Sequence, residues 1–199
     1  MVSKMELEYF RPTGRSSAVN IALLAIMTAL ATIMTLVIQI PYPGTGGYFN
    51  LGDTMVMLGG LLLGPIGGFL SGGIGSALAD LAGGYTFYAP ITLFVKGFEG
   101  MAVGFFSFEV KEHVRMSKWD FVGVLVGATI MLTGYFLAEA LAFGVAVATV
   151  ELVTINLPQV TIGGAVALII GPSIRYYLRT IGSGQLIPME ESIDEADEV

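Results

Sequence analysis

The sequence contains no cysteine, a single histidine and a single tryptophan among its 199 residues. Without cysteine the chain has no disulfide, no thiolate metal ligand and no cysteine nucleophile. His113 lies in a charged stretch with no HExxH motif around it, so a histidine-based metal centre is not expected. Basic residues are few and form no patch, which argues against nucleic acid as a partner. We therefore expect no metal site and no nucleic-acid partner.

Charge is also scarce: 13% of the residues are charged, whereas 54% are hydrophobic and the mean hydropathy is +0.78. Soluble domains rarely exceed half apolar residues, so lipid is the expected solvent. The first apolar block, 19–40, is long enough to cross a bilayer core of about 30 Å at about 1.5 Å per residue. Pro41 follows it where a signal peptide would carry a small-residue cleavage site, so we interpret the block as a retained helix.

Glycine, proline and charged residues divide the apolar blocks into predicted transmembrane helices. We place six helices at 17–40, 53–64, 66–83, 89–108, 119–148 and 157–180. The predicted fold class is all-α, an integral membrane bundle with a short second helix. Short spans are tolerated where neighbouring helices cover the backbone, and they often lie beside a binding site.

The basic residues predict the orientation of this bundle. Eight of the nine Lys and Arg residues precede the first helix, separate the fourth from the fifth, or end the sixth; the exception is Lys96. Because cytoplasmic loops carry an excess of Lys and Arg, both termini are predicted to be cytoplasmic. The predicted organisation is a cytoplasmic segment 1–16, a membrane domain 17–180, and an acidic, disordered tail 181–199. The expected location is the cell membrane.

Polar side chains gather in the predicted outer half of the bundle. The ionisable ones are Asp53, Asp80, Lys96, Glu99 and Glu139. A charge at the centre of a bilayer costs at least about 2.5–3.5 kcal/mol, so such a cluster needs mutual pairing, water or a ligand. We interpret it as an outward-facing cavity, and the predicted substrate-binding residues are Asn50, Asp53, Lys96, Glu99, Tyr135, Glu139, Asn156 and Gln159.

Plainer roles stay open for several of these residues. Lys96 and Glu99 are three positions apart on one helix and can form a structural ion pair with each other or with Glu139. Asp53 can be the N-cap of the second helix, with Asn50 or Asp53 accepting exposed backbone donors, and Asp80 can be a solvated helix end.

Aromatic residues in the outer loops, Tyr48 and Phe49 among them, suit either stacking on a flat ring or an interfacial belt. The glycine-rich stretch 43–47 before Tyr48 predicts a mobile lid.

Small residues recur at four-residue spacing, which is typical of close helix packing in membranes. The longest series is Gly60, Gly64, Gly68 and Gly72. The glycine cluster 72–76 lacks the preceding strand and the following lysine of a phosphate loop, so no nucleotide site is expected.

Several motifs resemble those of the substrate-binding S components of energy-coupling factor (ECF) vitamin transporters. They are YFNLGDT at 48–54, LLGP at 62–65, GGIGSALADL at 72–81, KGFEG at 96–100, GYFLAE at 134–139 and NLPQ at 156–159. Together these motifs look like the riboflavin-type or hydroxymethylpyrimidine-type branch of the family, and the resemblance extends over most of the chain.

The resemblance implies capture of one water-soluble vitamin or vitamin precursor, with Tyr48 and Phe49 in the lid loop. It also implies a transmembrane coupling protein and two cytoplasmic ATPase subunits as partners, so this chain needs no cofactor of its own. Small residues on the first helix form the coupling surface in the family, and here they match Ala18, Ala22, Ala25 and Ala29. Riboflavin, hydroxymethylpyrimidine and pyridoxine stay open as ligands.

An alternative function is a self-sufficient, proton-coupled secondary transporter that uses the carboxylates as coupling groups. No enzymatic activity is expected.

Overall fold

The structure is a computed structural model that describes residues 17–42, 47–107 and 116–183. Its elements, in chain order, are α1 (Ser17–Val37), β1 (Ile40–Pro41), β2 (Tyr48–Phe49), α2 (Gly52–Gly83), α3 (Tyr88–Ser107), α4 (Lys118–Phe143), α5 (Val145–Glu151), a π-helical turn (Leu152–Asn156) and α6 (Leu157–Ser183). The predictions for segment 1–16, for most of the lid loop and of the basic loop, and for the tail beyond 183 fall outside the described residues.

The all-α class is confirmed, apart from one small hairpin. Ile40 pairs with Phe49 and Pro41 with Tyr48 in an antiparallel two-stranded sheet, so α1 ends earlier than predicted. Five helical stretches of the described chain are long and apolar enough to cross a membrane, namely α1, α2, α3, α4 and the run Val145–Leu178. The cytoplasmic placement of both termini stays a prediction.

Helix α2 contains a sharp break where the sequence predicts the boundary between two spans. Gly64 has φ 76° and ψ −170°, a conformation that essentially only glycine adopts, and Pro65 follows it. The two arms on either side lie against each other, since a Cβ on Gly72 would come within 2.8 Å of Val56 and one on Gly68 within 2.8 Å of the Gly60 Cα. The arms therefore form a tight helical hairpin, although the count of six membrane crossings stays a prediction.

The first arm, residues 52–63, is short. At about 1.5 Å per residue it extends for about 18 Å, less than a bilayer core. Nearly all of its residues are buried by neighbouring helices. Backbone that is covered by protein in this way tolerates a short span at membrane depth.

Glycines bring α3 into backbone contact with this hairpin. A Cβ on either Gly60 or Gly68 would collide with the Gly100 carbonyl, and one on Gly104 would collide with the backbone of Gly64. The second arm also contacts α1, where the Thr32 hydroxyl donates to the Gly75 carbonyl at 2.8 Å. The predicted packing role of the four-residue glycine series is confirmed.

The predicted fifth helix, 119–148, is wrong at its C-terminal end. Helix α4 ends at Phe143, because Gly144 takes φ 90° and ψ 154° and breaks the helical path. The chain then forms α5 and the π-helical turn before α6 begins at Leu157. Pro158 contributes to this wide turn, since it has no N–H to donate to the carbonyl four residues back. Residues 145–156 therefore belong to the last helical run.

The surface of the bundle is apolar, as lipid exposure requires. Leu141 is 89% exposed and Ile169 is 74% exposed, and many other large apolar side chains of the described residues point outward. Most charged side chains of the helices, in contrast, are buried: Asp53, Lys96, Glu99, Asp120, Glu139 and Arg175 are each at most 2% exposed. Apolar side chains outside and charged side chains inside are the reverse of the pattern in soluble proteins, so a polar site is expected in the interior.

Candidate binding site

A cavity lined mainly by polar side chains lies at one end of the bundle, and all six helices contribute to it. Its lining is Thr35, Gly47, Tyr48, Asn50, Ser76, Asp80, Tyr88, Thr92, Lys96, Tyr135, Glu139, Glu151, Asn156 and Gln159. The cavity volume is about 30 Å³, enough for roughly two water molecules. A ring-sized solute would therefore require the lining to move apart.

The predicted binding residues are divided between the cavity wall and a layer behind it. The wall contains Asn50, Lys96, Tyr135, Glu139, Asn156 and Gln159, whereas Asp53 and Glu99 are not among the lining residues. Of the predicted lid residues, Tyr48 lines the cavity and Phe49 does not.

Lys96 stands between two carboxylates behind the wall. Its ammonium group donates to Asp53 and lies 3.1 Å from Glu99 Oε2. All three side chains are at most 3% exposed, so they form a desolvated ion cluster. The structural ion pair that the sequence left open is therefore present, while Lys96 also borders the cavity. Its ammonium lies 5.6 Å from the ring centroid of Tyr135.

Amide side chains connect this cluster to the start of α2. Gln159 Nε2 lies 3.3 Å from both Asp53 oxygens, and Gln159 Oε1 accepts the Asn50 backbone N–H at 2.8 Å. Asn50 Oδ1 in turn accepts the Gly52 N–H at 2.8 Å. Of the two side chains expected to accept backbone donors here, Asn50 does so, whereas Asp53 makes no capping bond and its proposed N-cap role is wrong. Asp53, in the first turn of α2, instead neutralises the charge of Lys96 on α3.

The β-hairpin closes one side of the cavity through Tyr48. The Tyr48 hydroxyl donates to Asp80 Oδ1 at 2.6 Å, and its ring lies 4.3 Å from the ring of Tyr85. Burial and the Asp80 carboxylate raise the pKa of Tyr48, so its hydroxyl keeps the proton that it donates. Asp80 is 3% exposed, which makes the solvated helix end proposed from the sequence wrong.

A second group of polar side chains lies where α4 meets α5 and the π-helical turn. Glu139 is 1% exposed, and its polar neighbours are Glu151 and Asn156. Glu139 Oε2 and Asn156 Nδ2 are buried without a hydrogen-bond partner among the described residues. On the α3 side, the Thr92 and Tyr135 hydroxyls lie 2.9 Å apart.

Sequence reasoning missed several wall residues. Glu151 was overlooked because the fifth helix was predicted to end at 148, which left this acid in a loop. An ionisable residue within a long apolar stretch is nevertheless a functional signal by itself. Thr35, Ser76 and Thr92 also border the cavity, as does Tyr88, one of the aromatic residues that the sequence places near the outer loops. Hydroxyl residues are common in membrane helices, so no sequence signal distinguished the two threonines and the serine.

A further buried ion pair joins the start of α4 to the C-terminal part of α6, at the ends of these helices that are far from the cavity. Arg175 binds Asp120 through two parallel hydrogen bonds of 2.7 and 2.8 Å. Asp120 also closes a capping box with Ser117 at the start of α4. The sequence did not predict this pair: it placed Arg175 at the cytoplasmic end of the sixth helix, whereas the Arg175 side chain is buried.

The predicted coupling residues lie on the outside of the bundle. Ala18, Ala22, Ala25 and Ala29 are all exposed on α1. Helix α1 packs mainly against α2, which leaves most of its remaining surface uncovered by the described chain.

Comparison with known proteins connects this architecture to a transporter family. Residues 15–176 match the family model described as ECF-type riboflavin transporter, S component. An uncharacterized protein in gap 3'region of Pyrococcus woesei is 36% identical over 148 residues, which cover 74% of this chain and 93% of that protein. The thiamine precursor transporter HmpT of Lactococcus lactis subsp. cremoris (strain MG1363) is 27% identical over 156 residues, covering 78% of this chain and 87% of that protein.

These matches confirm the resemblance seen in the sequence motifs. The family and the named Lactococcus relative are transporters and not enzymes, and the apolar helices agree with a multi-pass protein of the cell membrane. The match covers the helical bundle from before α1 to the last turns of α6, and with it every residue that lines the cavity. The chain therefore belongs to the S component family of ECF-type riboflavin transporters.

Proposed function

We propose that this chain captures one small water-soluble vitamin or vitamin precursor at the outer face of the membrane, as the substrate-specificity subunit of an ATP-driven ECF importer. The observation that supports this most is the buried polar cavity to which all six helices contribute within a lipid-facing bundle. Family membership supports a substrate-binding role, and the name of the Lactococcus relative supports a thiamine precursor as one candidate solute.

In this proposal the cavity wall contacts the solute and the layer behind it holds the wall in place. The proposed contacts are Asn50, Lys96, Tyr135, Glu139, Asn156 and Gln159. Asp53 and Glu99 act indirectly, since they fix the charge and position of Lys96. This division follows from which side chains border the cavity.

Entry of the solute requires the cavity to open. Ligand sites for small molecules typically measure about 300–1,000 Å³, far above the 30 Å³ enclosed here. Tyr48 is the proposed cover, because it lines the cavity on a short hairpin outside the helices and its hydroxyl bonds Asp80 in the helical wall. Breaking that bond would let the hairpin move away from the cavity.

The proposed partners are a transmembrane coupling protein and two cytoplasmic ATPases. The exposed alanines of α1 offer a surface on which another helix can approach closely. The sequence has no phosphate-binding loop, so ATP hydrolysis is assigned to the partners and no cofactor to this chain.

Identification of the co-purifying solute, followed by transport assays, tests the proposal. The purified full chain is analysed by mass spectrometry for bound small molecules and is then reconstituted in vesicles without partners. We expect one solute per chain and no accumulation inside the vesicles, with or without ATP. Addition of the coupling protein and the ATPases should then give ATP-dependent accumulation.

The same vesicles distinguish the alternative function. Accumulation by the chain alone, driven by an imposed proton gradient, would replace the importer with a proton-coupled secondary transporter. The buried carboxyl groups of the cavity would then be the coupling groups. Absence of any bound or transported solute would contradict both functions.

A further inference from the structure

The junction of α4, α5 and the π-helical turn holds two buried polar atoms, one on Glu139 and one on Asn156, that have no hydrogen-bond partner in the part of the chain that the structure describes. Glu139 Oε2 and Asn156 Nδ2 have no hydrogen-bond partner among the described residues, although both side chains line the cavity. They are 1% and 5% exposed, so bulk water does not reach them freely. Buried orphan atoms are costly and rare in folded proteins. Their position in the wall leaves both atoms able to bond a molecule that enters the cavity.

A second acid adjoins these atoms. Glu151 lines the same cavity, is 2% exposed, and lies within hydrogen-bonding range of the Glu139 side chain. Two carboxyl groups in contact repel each other when both are charged. The pair is therefore suited to a group that brings hydrogen-bond donors or positive charge.

The π-helical turn accounts for this arrangement of side chains. Glu151 and Asn156 are five residues apart, and a regular α-helix would turn them about 140° away from each other. In a π-helix the bonds run from residue i to i+5, as in the bond from the Leu157 N–H to the Leu152 carbonyl. Residues five apart then share a face, so both side chains reach the cavity next to Glu139.

We propose that Glu139, Glu151 and Asn156 form the subsite for the amino-substituted edge of a nitrogen heterocycle, in which a ring nitrogen lies beside an exocyclic amino group. This inference rests on the proposed function and narrows its substrate class.

A carboxylate beside an amide donor fits such an edge whether or not the ring nitrogen is protonated. The carboxylate accepts from the exocyclic amino group, and either the Asn156 amide donates to the neutral ring nitrogen or a second carboxylate oxygen accepts from the protonated ring. In a flavin or oxopyrimidine edge the donor and acceptor are exchanged, so the carbonyl oxygen faces the carboxylate oxygens and the ring N–H faces the Asn156 amide donor. Tyr48, Tyr88 and Tyr135 in the same lining provide aromatic surface for the ring.

A pair of nearly isosteric probes tests the subsite. Equilibrium binding to the purified full chain is measured for 4-amino-5-hydroxymethyl-2-methylpyrimidine, for its 4-oxo analogue, and for riboflavin. We expect the amino compound to bind at least about 100-fold more tightly than the oxo compound. The oxo compound would leave the buried polar groups that bond the amino edge unpaired. Riboflavin should bind more weakly than the amino compound.

Two conservative variants assign the selectivity to the acid pair. Glu139→Gln and Glu151→Gln keep the shape of the side chain but present an amide, and each should reduce the preference for the amino compound to below about tenfold. Thr149→Val is the matched control, since Thr149 is exposed on α5 two residues from Glu151 and its hydroxyl donates to the Val145 carbonyl of its own helix. It should retain the wild-type preference.

Several results would overturn the subsite. They are equal affinity of the wild-type chain for the two pyrimidines, preferential binding of riboflavin, or full selectivity in both glutamine variants. The wild-type comparison needs no variant, so poor folding of a mutant does not remove the test. If another solute is captured and transported with the partners while the amino compound is ignored, the subsite fails and the proposed function stands. If no solute binds at all, both fail.

Discussion

Lys96 compensates two carboxylates that water does not reach. Its side chain is 3% exposed, and those of Asp53 and Glu99 are 0% exposed. We predict that Lys96→Met lowers the free energy of unfolding by about 3–5 kcal/mol, the typical cost of removing one partner from a buried ion pair. Unfolding in mixed micelles with increasing SDS, followed by circular dichroism, measures the difference from the wild-type protein.

Lys118→Met is the matched control for this substitution. Lys118 is exposed at the start of α4, so the same change should alter the free energy of unfolding by no more than about 0.5 kcal/mol. The double variant Lys96→Met with Glu99→Gln should be more stable than Lys96→Met alone, because it removes one uncompensated charge. Equal stability of Lys96→Met and the wild-type protein would show that the cluster does not support the fold.

The hydroxyl of Tyr48 is the donor that keeps one Asp80 oxygen satisfied. Tyr48→Phe removes that donor and leaves a buried acceptor, so we predict a loss of about 1–3 kcal/mol in the free energy of unfolding. If Tyr48 covers the cavity as proposed, both association and dissociation of the solute should also become faster. Stopped-flow binding and unfolding measurements check the two effects separately.

Tyr42→Phe serves as the comparison, since Tyr42 lies on the same loop and its described bond to Gly47 uses only the backbone. Wild-type binding rates in Tyr48→Phe would contradict the cover role, even if stability falls.

At the scale of helices, the sequence predicted the elements that depend on long apolar stretches. The apolar blocks, with glycine and proline as boundaries, located α1, α3 and the hairpin of α2 to within a few residues. It did not predict the break at Gly144, because residues on both sides of it are equally apolar and the break depends on one backbone conformation. That single misplaced boundary also removed Glu151 from the predicted site.

The turn of the α2 hairpin depends on a conformation in which a side chain is strained. At Gly64, φ is 76° and ψ is −170°, whereas the helix-capping Gly84 has φ 84° and ψ 6° in the ordinary left-handed region. We predict that Gly64→Ala costs about 1–3 kcal/mol in the free energy of unfolding. Gly84→Ala should cost less, since nothing lies within 4 Å of its added Cβ. SDS unfolding of both variants gives the comparison, and a reversed order would contradict the assigned strain.

We predict opposite effects on solute binding when one residue is removed from the π-helical turn and when one is added to it. Deletion of Val153, which is 56% exposed, turns the Leu157-to-Leu152 bond into an ordinary α-helical bond. Glu151 and Asn156 are then four residues apart and about 40° from each other on an α-helix, so solute affinity should change by less than about tenfold.

Insertion of one alanine after Val153 is the matched counterpart. It separates Glu151 and Asn156 by six residues, about 120° apart on a regular α-helix, and should abolish binding in a protein that still folds. Binding of the co-purifying solute and circular dichroism are measured for both variants. Loss of affinity on deletion together with retention on insertion would contradict the role given to the turn.

At the scale of the whole molecule, the sequence predicted which polar residues lie inside the bundle. It did not predict which of them line the cavity and which lie behind its wall. Asn50 and Gln159 were expected near one site, and they are hydrogen-bonded across the bundle. The separation of Asp53 and Glu99 from the cavity wall was not predictable, because it depends on which atoms Lys96 contacts. The pairing of Asp120 with Arg175 likewise joins distant positions that carry no mutual sequence signal.

The interior site and the exterior surface of α1 should be separable by mutation. Ala25 is exposed on α1, in the small-residue series proposed to contact the coupling protein. A tryptophan there should leave solute binding by the purified chain unchanged, because the cavity lies on the other side of the helix packing. Overpacking of a close helix contact costs about 1–3 kcal/mol, so uptake by cells that contain the full importer should fall by about tenfold or more.

Leu141→Trp is the control for this last prediction, since Leu141 is 89% exposed on α4 and belongs to no small-residue series. It should retain both binding and uptake, measured with the radiolabelled form of the solute that co-purifies with the wild-type chain. Equal loss of uptake in the two variants would indicate a general effect of bulky lipid-facing residues. Full uptake by Ala25→Trp would move the coupling surface to another helix.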